Sequence, residues 1–283
     1  MLRNTDPYLA ENPVHVPQAV FLDFDRTMSS PAANMQHLHD SLAAIGAASF
    51  SNDLHAEQQR VESAHHSFDA YGYLAPRLEE AGKLQALQEQ YASQGGDVLY
   101  DDVNDFVARL DAGRVPYTVL TYGGREWQRL KLLGSGFLGA AVITPEQNKG
   151  RVVEAFRLNG LYGFTSIVRK PSPLYVTEEI VLIDDKRTSF ADWPGPGYCI
   201  ERPGEVAQKD VPMPANLRRI TGLDELTVYA GRVMRRDEAP ASSLPQDPEV
   251  LYRVQYHEMA CAPLVNRHSG AAALRDSIIF EVL

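Results

Sequence analysis

Two short stretches, AVFLDFD at residues 19–25 and EEIVLIDD at 178–185, constrain this chain more than any other feature. Each is a continuous apolar run, without polar alternation, that ends in acid. A run that is apolar at every position suits a strand covered on both faces, as in a parallel sheet with helices on either side. In an open sheet of that kind, the crevice beyond the carboxyl ends of the strands is where ligands bind. Acids placed there are positioned for chemistry, although Asp25 or Thr27 taken alone fits a turn or a helix cap equally well.

The rest of the chain alternates in the same sense. Residues 28–96 are rich in Ala, Gln, Glu, His and Leu, and NMQHLHDSLAAIG and RLEEAGKLQALQEQYASQ carry helical spacing. DDVNDFVARLDAGRVPYTVLTYGG predicts a helix with Val103, Phe106, Val107 and Leu110 on one face, a turn at Gly113 and a strand over 116–121. REWQRLKLLGSG then reads as a helix, GAAVIT as a strand, KGRVVEAFRLNG as a helix closed by Gly160, and GYCIE as a last strand. RRDEAPASSLPQDPE has the Pro, Ser and charge content of a linker, and one or two helices are expected after it. The division expected is an N-terminal arm at 1–17, a core at 18–27 and 97–225, a helical insertion at 28–96, and a linker and C-terminal tail of unassigned role at 226–283.

Composition narrows the function classes. A formal charge of −10 argues against a nucleic-acid partner, because phosphate contacts need clustered Lys and Arg. The two cysteines, Cys199 and Cys261, make neither a disulfide framework nor a Cys-rich zinc site. No apolar run approaches the roughly twenty residues that span a bilayer, so no membrane partner is expected. The start, MLRNTDPYLAENPVHVPQ, is polar and carries Pro13 and Pro17, and does not read as a signal peptide. The expectation is a cytoplasmic protein with reduced thiols.

Parallel strands alternating with helices point their carboxyl ends the same way, so Asp23, Asp25, Thr121, Asp184 and Asp185 are expected at one crevice. Carboxylates so crowded repel one another unless a cation lies between them. Oxygen ligands without His or Cys select Mg²⁺, which keeps waters and takes its remaining ligands from a substrate phosphate. A lysine at the same edge would complete a clamp on phosphoryl charge.

The ordered set FLDFDRT, TVLTYGG, a lysine and VLIDDK resembles the haloacid-dehalogenase-like (HAD) phosphohydrolase superfamily over residues 18–225. The resemblance implies an α/β fold: a three-layer, Rossmann-like core with a mostly parallel sheet and an inserted α-helical C1 cap over 28–96 that excludes water. It also implies roles. Asp23 would be the nucleophile that forms an aspartyl-phosphate, and Asp25 the general acid and base, titrating above Asp23. Thr121 would hydrogen-bond the phosphoryl oxygens with help from the N–H of Tyr122 or Gly123, and Mg²⁺ would draw on Asp23, Asp25, Asp184 and Asp185. The phosphate lysine is either Lys149, between a strand and a helix and preferred for that reason, or Lys170, in VRKPSPLY. Thr27, Arg26, Tyr122, Gly123 and Lys170 are the candidate substrate contacts. Arg26 stands in a slot often held by Gly or another small residue, and reaches toward the substrate or the insertion or lies on the surface. Arg60, His65, His66, Tyr71 and Arg77 are insertion residues available to a substrate, whereas Tyr252, Tyr256 and His257 read as packing residues of the tail.

The leading expectation is a Mg²⁺-dependent phosphatase of a small phosphorylated metabolite. Phosphomutase, polynucleotide or nucleotide phosphatase, and a HAD-like binding or regulatory module with little catalysis are the alternatives, and no oligomeric state follows from the sequence.

Overall fold

A computed structural model describes residues 13–64, 68–93, 98–165, 174–205, 212–214 and 217–240. Lys170, His65, His66, Cys261, Tyr252, Tyr256 and His257 lie outside the described residues.

In chain order the elements are β1 (Val14–His15), β2 (Ala19–Leu22), α1 (Pro31–Ala44), α2 (Leu54–Ser63), α3 (Ala70–Glu80), α4 (Leu84–Ser93), α5 (Asp102–Ala112), β3 (Tyr117–Tyr122), α6 (Arg125–Gly134), β4 (Ala141–Thr144), α7 (Lys149–Val153), β5 (Arg157–Leu158), β6 (Leu161–Thr165), β7 (Leu174–Thr177), β8 (Ile180–Asp184), β9 (Gly197–Ile200), β10 (Leu217–Ile220), β11 (Leu226–Tyr229) and β12 (Arg232–Arg235). Six strands form the main sheet in the order β10-β9-β8-β2-β3-β4, and every neighbouring pair is parallel. The apolar run of β2 thus lies between β3 and β8, where all four of its residues are fully buried. Successive side chains go to opposite faces. Val20 and Leu22 join Phe106, Leu110, Val119, Val181 and Ile183 on one side, while Ala19 and Phe21 join Leu120, Val153, Leu182, Phe190 and Trp193 on the other. Both faces are therefore core, which is why the run shows no polar alternation.

Register decides where the acids go. Leu22 is level with Ile183 of β8 and with Val119 of β3. The Asp23 N–H then donates to the Ile183 carbonyl at 2.9 Å, so Asp23 and Asp184 leave the sheet side by side.

The helices α1–α4 lie between β2 and α5. Their own core contains Leu38, Leu42, Leu54, Leu74, Leu78, Leu87 and Tyr91, and takes in Trp127 and Leu130 from α6. The two crossings of the chain into this unit are tied together, with Ser30 N–H to the Val98 carbonyl at 3.1 Å and Tyr100 N–H to the Met28 carbonyl at 3.0 Å. Ser30 also caps α1, whose first residue is Pro31, the position where a missing N–H costs nothing.

Three stretches depart from the sequence expectation. The helix expected to run to Gly160 ends at Val153, and a short 3-10 turn leads into the β5–β6 hairpin. Leu158 pairs with Leu161, leaving Asn159 and Gly160 as a two-residue turn with φ of 51° and 87°. Asn-Gly is the favoured pair for such a turn, and by sequence alone it fits a helix end as well. These strands continue into a second sheet, β1-β7-β6-β5, which makes a strand of Val14–His15 in the expected arm. Past the expected last strand, β10 adds a further parallel strand, and β11 with β12 forms an antiparallel hairpin where the tail was expected to begin. That hairpin sits on α5 so closely that a Cβ on Gly113 would lie 2.2 Å from Val228 Cγ1. Among the described residues, no helix is long and apolar enough to cross a membrane.

One acid joins the helical unit to the core. The Asp69 carboxylate accepts from Gly72 N–H at 2.7 Å, capping α3, and from Trp127 and Glu126 N–H at 3.0 and 3.3 Å, capping α6. Gly124 at the α6 N-cap has no side chain of its own to offer, and a Cβ there would lie 2.4 Å from Asp69 Cβ. Removing a helix cap costs about 0.5–2 kcal/mol. Asp69→Ala removes two at once and is expected at the upper end of that range or slightly above, read as a lowered denaturation midpoint at unchanged m-value, with Asp69→Asn recovering most of the loss.

Candidate active site

At the carboxyl edge of the sheet, Asp23, Asp184 and Asp185 each present an oxygen, and the three atoms lie within 4.8 Å of one another. Asp23 and Asp184 are buried. Lys149, the first residue of α7, sends its Nζ between them at 2.5 Å from Asp23 Oδ1 and 2.5 Å from Asp184 Oδ2, and is itself buried. Its reach depends on its neighbour: a Cβ on Gly150 would lie 2.2 Å from the backbone of Asp192, so α7 can settle against that segment only with glycine there. Asp184 Oδ1 accepts from the Lys186 N–H at 2.7 Å, which fixes the rotamer that faces Lys149.

Three acids against one ammonium leave a net charge of about −2 in a place poor in water, and the proton affinities register it. Burial pushes Asp23 up to about 6, with Asp184 adding to the rise and Lys149 opposing it. Burial, then Asp184 and Asp23, raise Asp185 well above the usual carboxylate range. For Lys149, burial works against the charged form, but Asp184 and Asp23 outweigh it and hold the ammonium above its ordinary value.

Other polar atoms at this edge have no partner. Thr121 Oγ1 at the end of β3, Thr27 Oγ1 and Asp185 Oδ1 are buried without a hydrogen bond among the described residues. A buried polar group left unpaired costs about 1–3 kcal/mol, a cost that a polar ligand at this edge would reduce. The donor set suits a hard divalent cation: three carboxylates, one with a spare oxygen, and neither His nor Cys among them. Mg²⁺ fits these residues, and Asp23, Asp184 and Asp185 would hold it.

Asp25 is placed differently from the other acids. Both of its oxygens lie 2.6 Å from Lys131 Nζ, and Oδ2 also accepts from Gln128 Nε2 at 2.7 Å. Its carboxylate is therefore turned to α6, outside the three-acid cluster expected to include it. The expectation that it titrates above Asp23 is reversed: burial alone would raise it, but Lys131 and Gln128 prevail and lower it. Lys131 and Gln128 were not among the residues singled out from sequence. The available signal was a lysine on the same stripe of α6 as Trp127, where an apolar residue would ordinarily stand.

Arg26 has φ of 61°, which explains why its slot favours small residues; a side chain in that region costs roughly 1–2 kcal/mol. Its guanidinium stands 3.4 Å from Glu205 and 3.7 Å from Asp185, at the rim of the cluster. Thr27 is fully buried, and its carbonyl accepts from Arg202 at 2.6 and 3.1 Å, Arg202 being held in turn by both oxygens of Asp102. Tyr122 follows Thr121, its ring 5.4 Å from Lys186 Nζ, and Gly123 has φ of 151°. The insertion residues serve their own unit: Arg60 pairs with Glu57, Arg77 with Asp53 while lying over Tyr73, and the Tyr71 hydroxyl accepts from Gln88.

Fold and site together define a parallel α/β protein with three clustered acids and a buried lysine at the carboxyl edge of its sheet. No family model matches the sequence, and no curated protein matches it. Solved structures do. A haloacid dehalogenase-like hydrolase from Burkholderia xenovorans is 17% identical with a TM-score of 0.45, over 74% of this chain and 94% of that one. The HAD-hydrolase YfnB from Bacillus subtilis, bound to magnesium, is 13% identical with a TM-score of 0.43, over 74% and 96%. CbbY from Rhodobacter sphaeroides, in complex with xylulose-(1,5)bisphosphate, is 11% identical with a TM-score of 0.43, over 76% and 98%. The chain is similar to these HAD-like hydrolases, and the chemistry of its site rests on its own atoms.

The raised Asp23 has a measurable sign. With the folded pKa above the ordinary 3.8, the native state holds a proton that the unfolded chain has lost, so the contribution to stability is full below about 4 and is lost as pH rises through about 6. In EDTA, the parent protein is expected to lose stability relative to Asp23→Asn as pH rises from about 4 to about 6, and to change no further on this account above that, by chemical denaturation; Mg²⁺ is expected to shrink the loss.

Proposed function

We propose that the chain is a Mg²⁺-dependent phosphatase of a small phosphorylated metabolite, acting through an aspartyl-phosphate on Asp23. The observation that carries this reading is the Asp23 carboxylate itself, shared between Lys149 and a three-acid cluster, at the sheet edge where Thr121 Oγ1 is buried without a partner.

Mg²⁺, when bound, would neutralise charge on the phosphoryl oxygens and on the acids together. The chain's own groups do the rest. Lys149 holds one oxygen of Asp23 at a fixed position, which orients the carboxylate for in-line attack on phosphorus. The new P–O bond to Asp23 forms as the bond to the leaving oxygen breaks, and the leaving oxygen takes a proton from Asp25. Thr121 Oγ1 donates to a phosphoryl oxygen, satisfying an otherwise orphaned atom. In the second half a water attacks phosphorus, gives its proton to Asp25, and releases inorganic phosphate while Asp23 returns as carboxylate. With Lys131 and Gln128 against it, the resting Asp25 is an ionised acceptor, the state needed by the second half. For the first half it must take up a proton, so turnover should favour leaving groups that need little protonation.

The test is Mg²⁺-dependent release of p-nitrophenol from p-nitrophenyl phosphate. Asp23→Asn is expected to abolish turnover, and Asp25→Asn to lower kcat by about 10²–10⁴. An absence of Mg²⁺-dependent turnover by the parent protein over a panel of sugar, acyl and aryl phosphates would overturn the reading.

A further inference from the structure

The buried cation on α6 acts in the chemistry above only through Asp25, and its geometry is specific. Lys131 is 2% exposed in its side chain, and its Nζ contacts both oxygens of one carboxylate, 106 residues away in sequence. It also lies over two aromatic faces, 5.7 Å from the Phe24 ring centroid and 5.4 Å from that of Trp127. Gln128, three residues earlier on the same face of the helix, donates to the same carboxylate and also to the Tyr122 carbonyl at 3.3 Å. The side-chain hydrogen bonds to the Asp25 carboxylate thus come from α6, and Asp25 is not among the three acids of the cluster, Asp23, Asp184 and Asp185.

That grip is not what stability alone would select. Burying an ammonium is costly, and a buried ion pair replaced by apolar residues of like volume is often as stable or more so. Beside Phe24 and Trp127 an apolar residue would fit the surroundings. What it would not do is restrain Asp25. One residue separates Asp25 from Asp23, and Lys186 bears electrostatically on Asp23, Asp25 and Asp185 alike, so all of them share one field. A divalent ion among three carboxylates attracts any fourth within reach.

We propose that Lys131, assisted by Gln128, is a positioning residue that keeps the Asp25 carboxylate out of the cation cluster and fixed on the α6 side. The inference rests on the phosphatase reading only for the purpose of the restraint, which is to reserve Asp25 for proton transfer. The restraint itself concerns cation binding and can be read without turnover.

The experiment is calorimetric titration of the full chain with Mg²⁺, for the parent protein, Lys131→Met, Asp25→Asn and the double variant. Methionine keeps the volume beside Phe24 and Trp127. With the grip removed, Asp25 enters the cluster, and Lys131→Met is expected to bind Mg²⁺ about tenfold more tightly, since affinity follows the number of charged ligands. In the Asp25→Asn background the same substitution is expected to have little effect. For phosphatase turnover, Lys131→Met is expected to lower kcat by about 10–100-fold with KM little changed, the size typical for a partner that orients a reacting group. An unchanged Mg²⁺ affinity would sink the proposal, as would an equal shift in both backgrounds, which would make Lys131 only a remote charge. Should Lys131→Met not fold, Gln128→Leu is expected to give a smaller shift of the same sign, and no shift there overturns the proposal equally. Failure of the phosphatase reading looks different: no turnover by the parent protein, with the calorimetric shift intact.

Discussion

Carboxylates do not gather in a protein interior unprompted, and the ammonium of Lys149 between Asp23 and Asp184 is the contact on which the rest of this site depends. At such separations in a poorly polarisable interior, unscreened like charges cost several kcal/mol. Holding one lysine there calls on much of the architecture. β2 and β8 must be adjacent and in register, so that Asp23 and Asp184 emerge level. β4 must hand the chain to α7 at the same edge, and α7 must press against the backbone at Asp192, which the absence of a side chain at Gly150 allows. Two apolar clusters, one on each face of the sheet, keep those strands from shifting by even one residue, since a slip would exchange the faces of every side chain.

Much of this could be read from the residues. A strand buried on both faces announces itself by continuous apolarity, and parallel strands share an end, so the approach of Asp23, Asp184, Asp185 and Thr121 to one edge follows from local pattern and topology. Lys149 could be placed there because it sits between a strand and a helix. The losses fall where local pattern is ambiguous or where the deciding contact is distant. Asn159-Gly160 serves a helix end and a hairpin equally well as a sequence, and only the pairing of Leu158 with Leu161 decides between them. β10 reads LRRI, buried at its ends and exposed at both arginines, too short and too charged to stand out. The proton affinity of Asp25 is not legible locally, because Lys131 lowers it across 106 residues of chain and no periodicity encodes that contact.

α6 is where the separate parts of the molecule meet. Its first turn is capped by Asp69 from the helical unit, Trp127 and Leu130 enter that unit's core, Leu132 enters the main core, and Gln128 and Lys131 reach Asp25. A helix turns about 100° per residue, so a ten-residue helix can present each of these surfaces at once. The strengths are unequal. Capping hydrogen bonds contribute about 0.5–2 kcal/mol, whereas breaking a buried ion pair from one side costs about 3–5 kcal/mol. The position of α6 is thus set more firmly by Asp25 and the main core than by the helical unit, although both act on it.

The unpaired polar atoms complete the energetic case. Thr121 Oγ1, Thr27 Oγ1 and Asp185 Oδ1 together represent several kcal/mol of unrecovered desolvation, and Arg26 adds the cost of a left-handed backbone. Other buried side chains, Ser41 and Thr188 among them, also leave a polar atom without a hydrogen bond, but Thr121 and Asp185 lie at the sheet edge that gathers the acids. In a fold only about 5–15 kcal/mol more stable than its unfolded chain, each such cost is a sizeable fraction of the whole. A bound oxyanion and cation would recover them, giving the hydroxyl of Thr121 an acceptor and the spare oxygen of Asp185 a ligand. A ligand that met these atoms would recover part of their cost, and that recovery would add to its affinity.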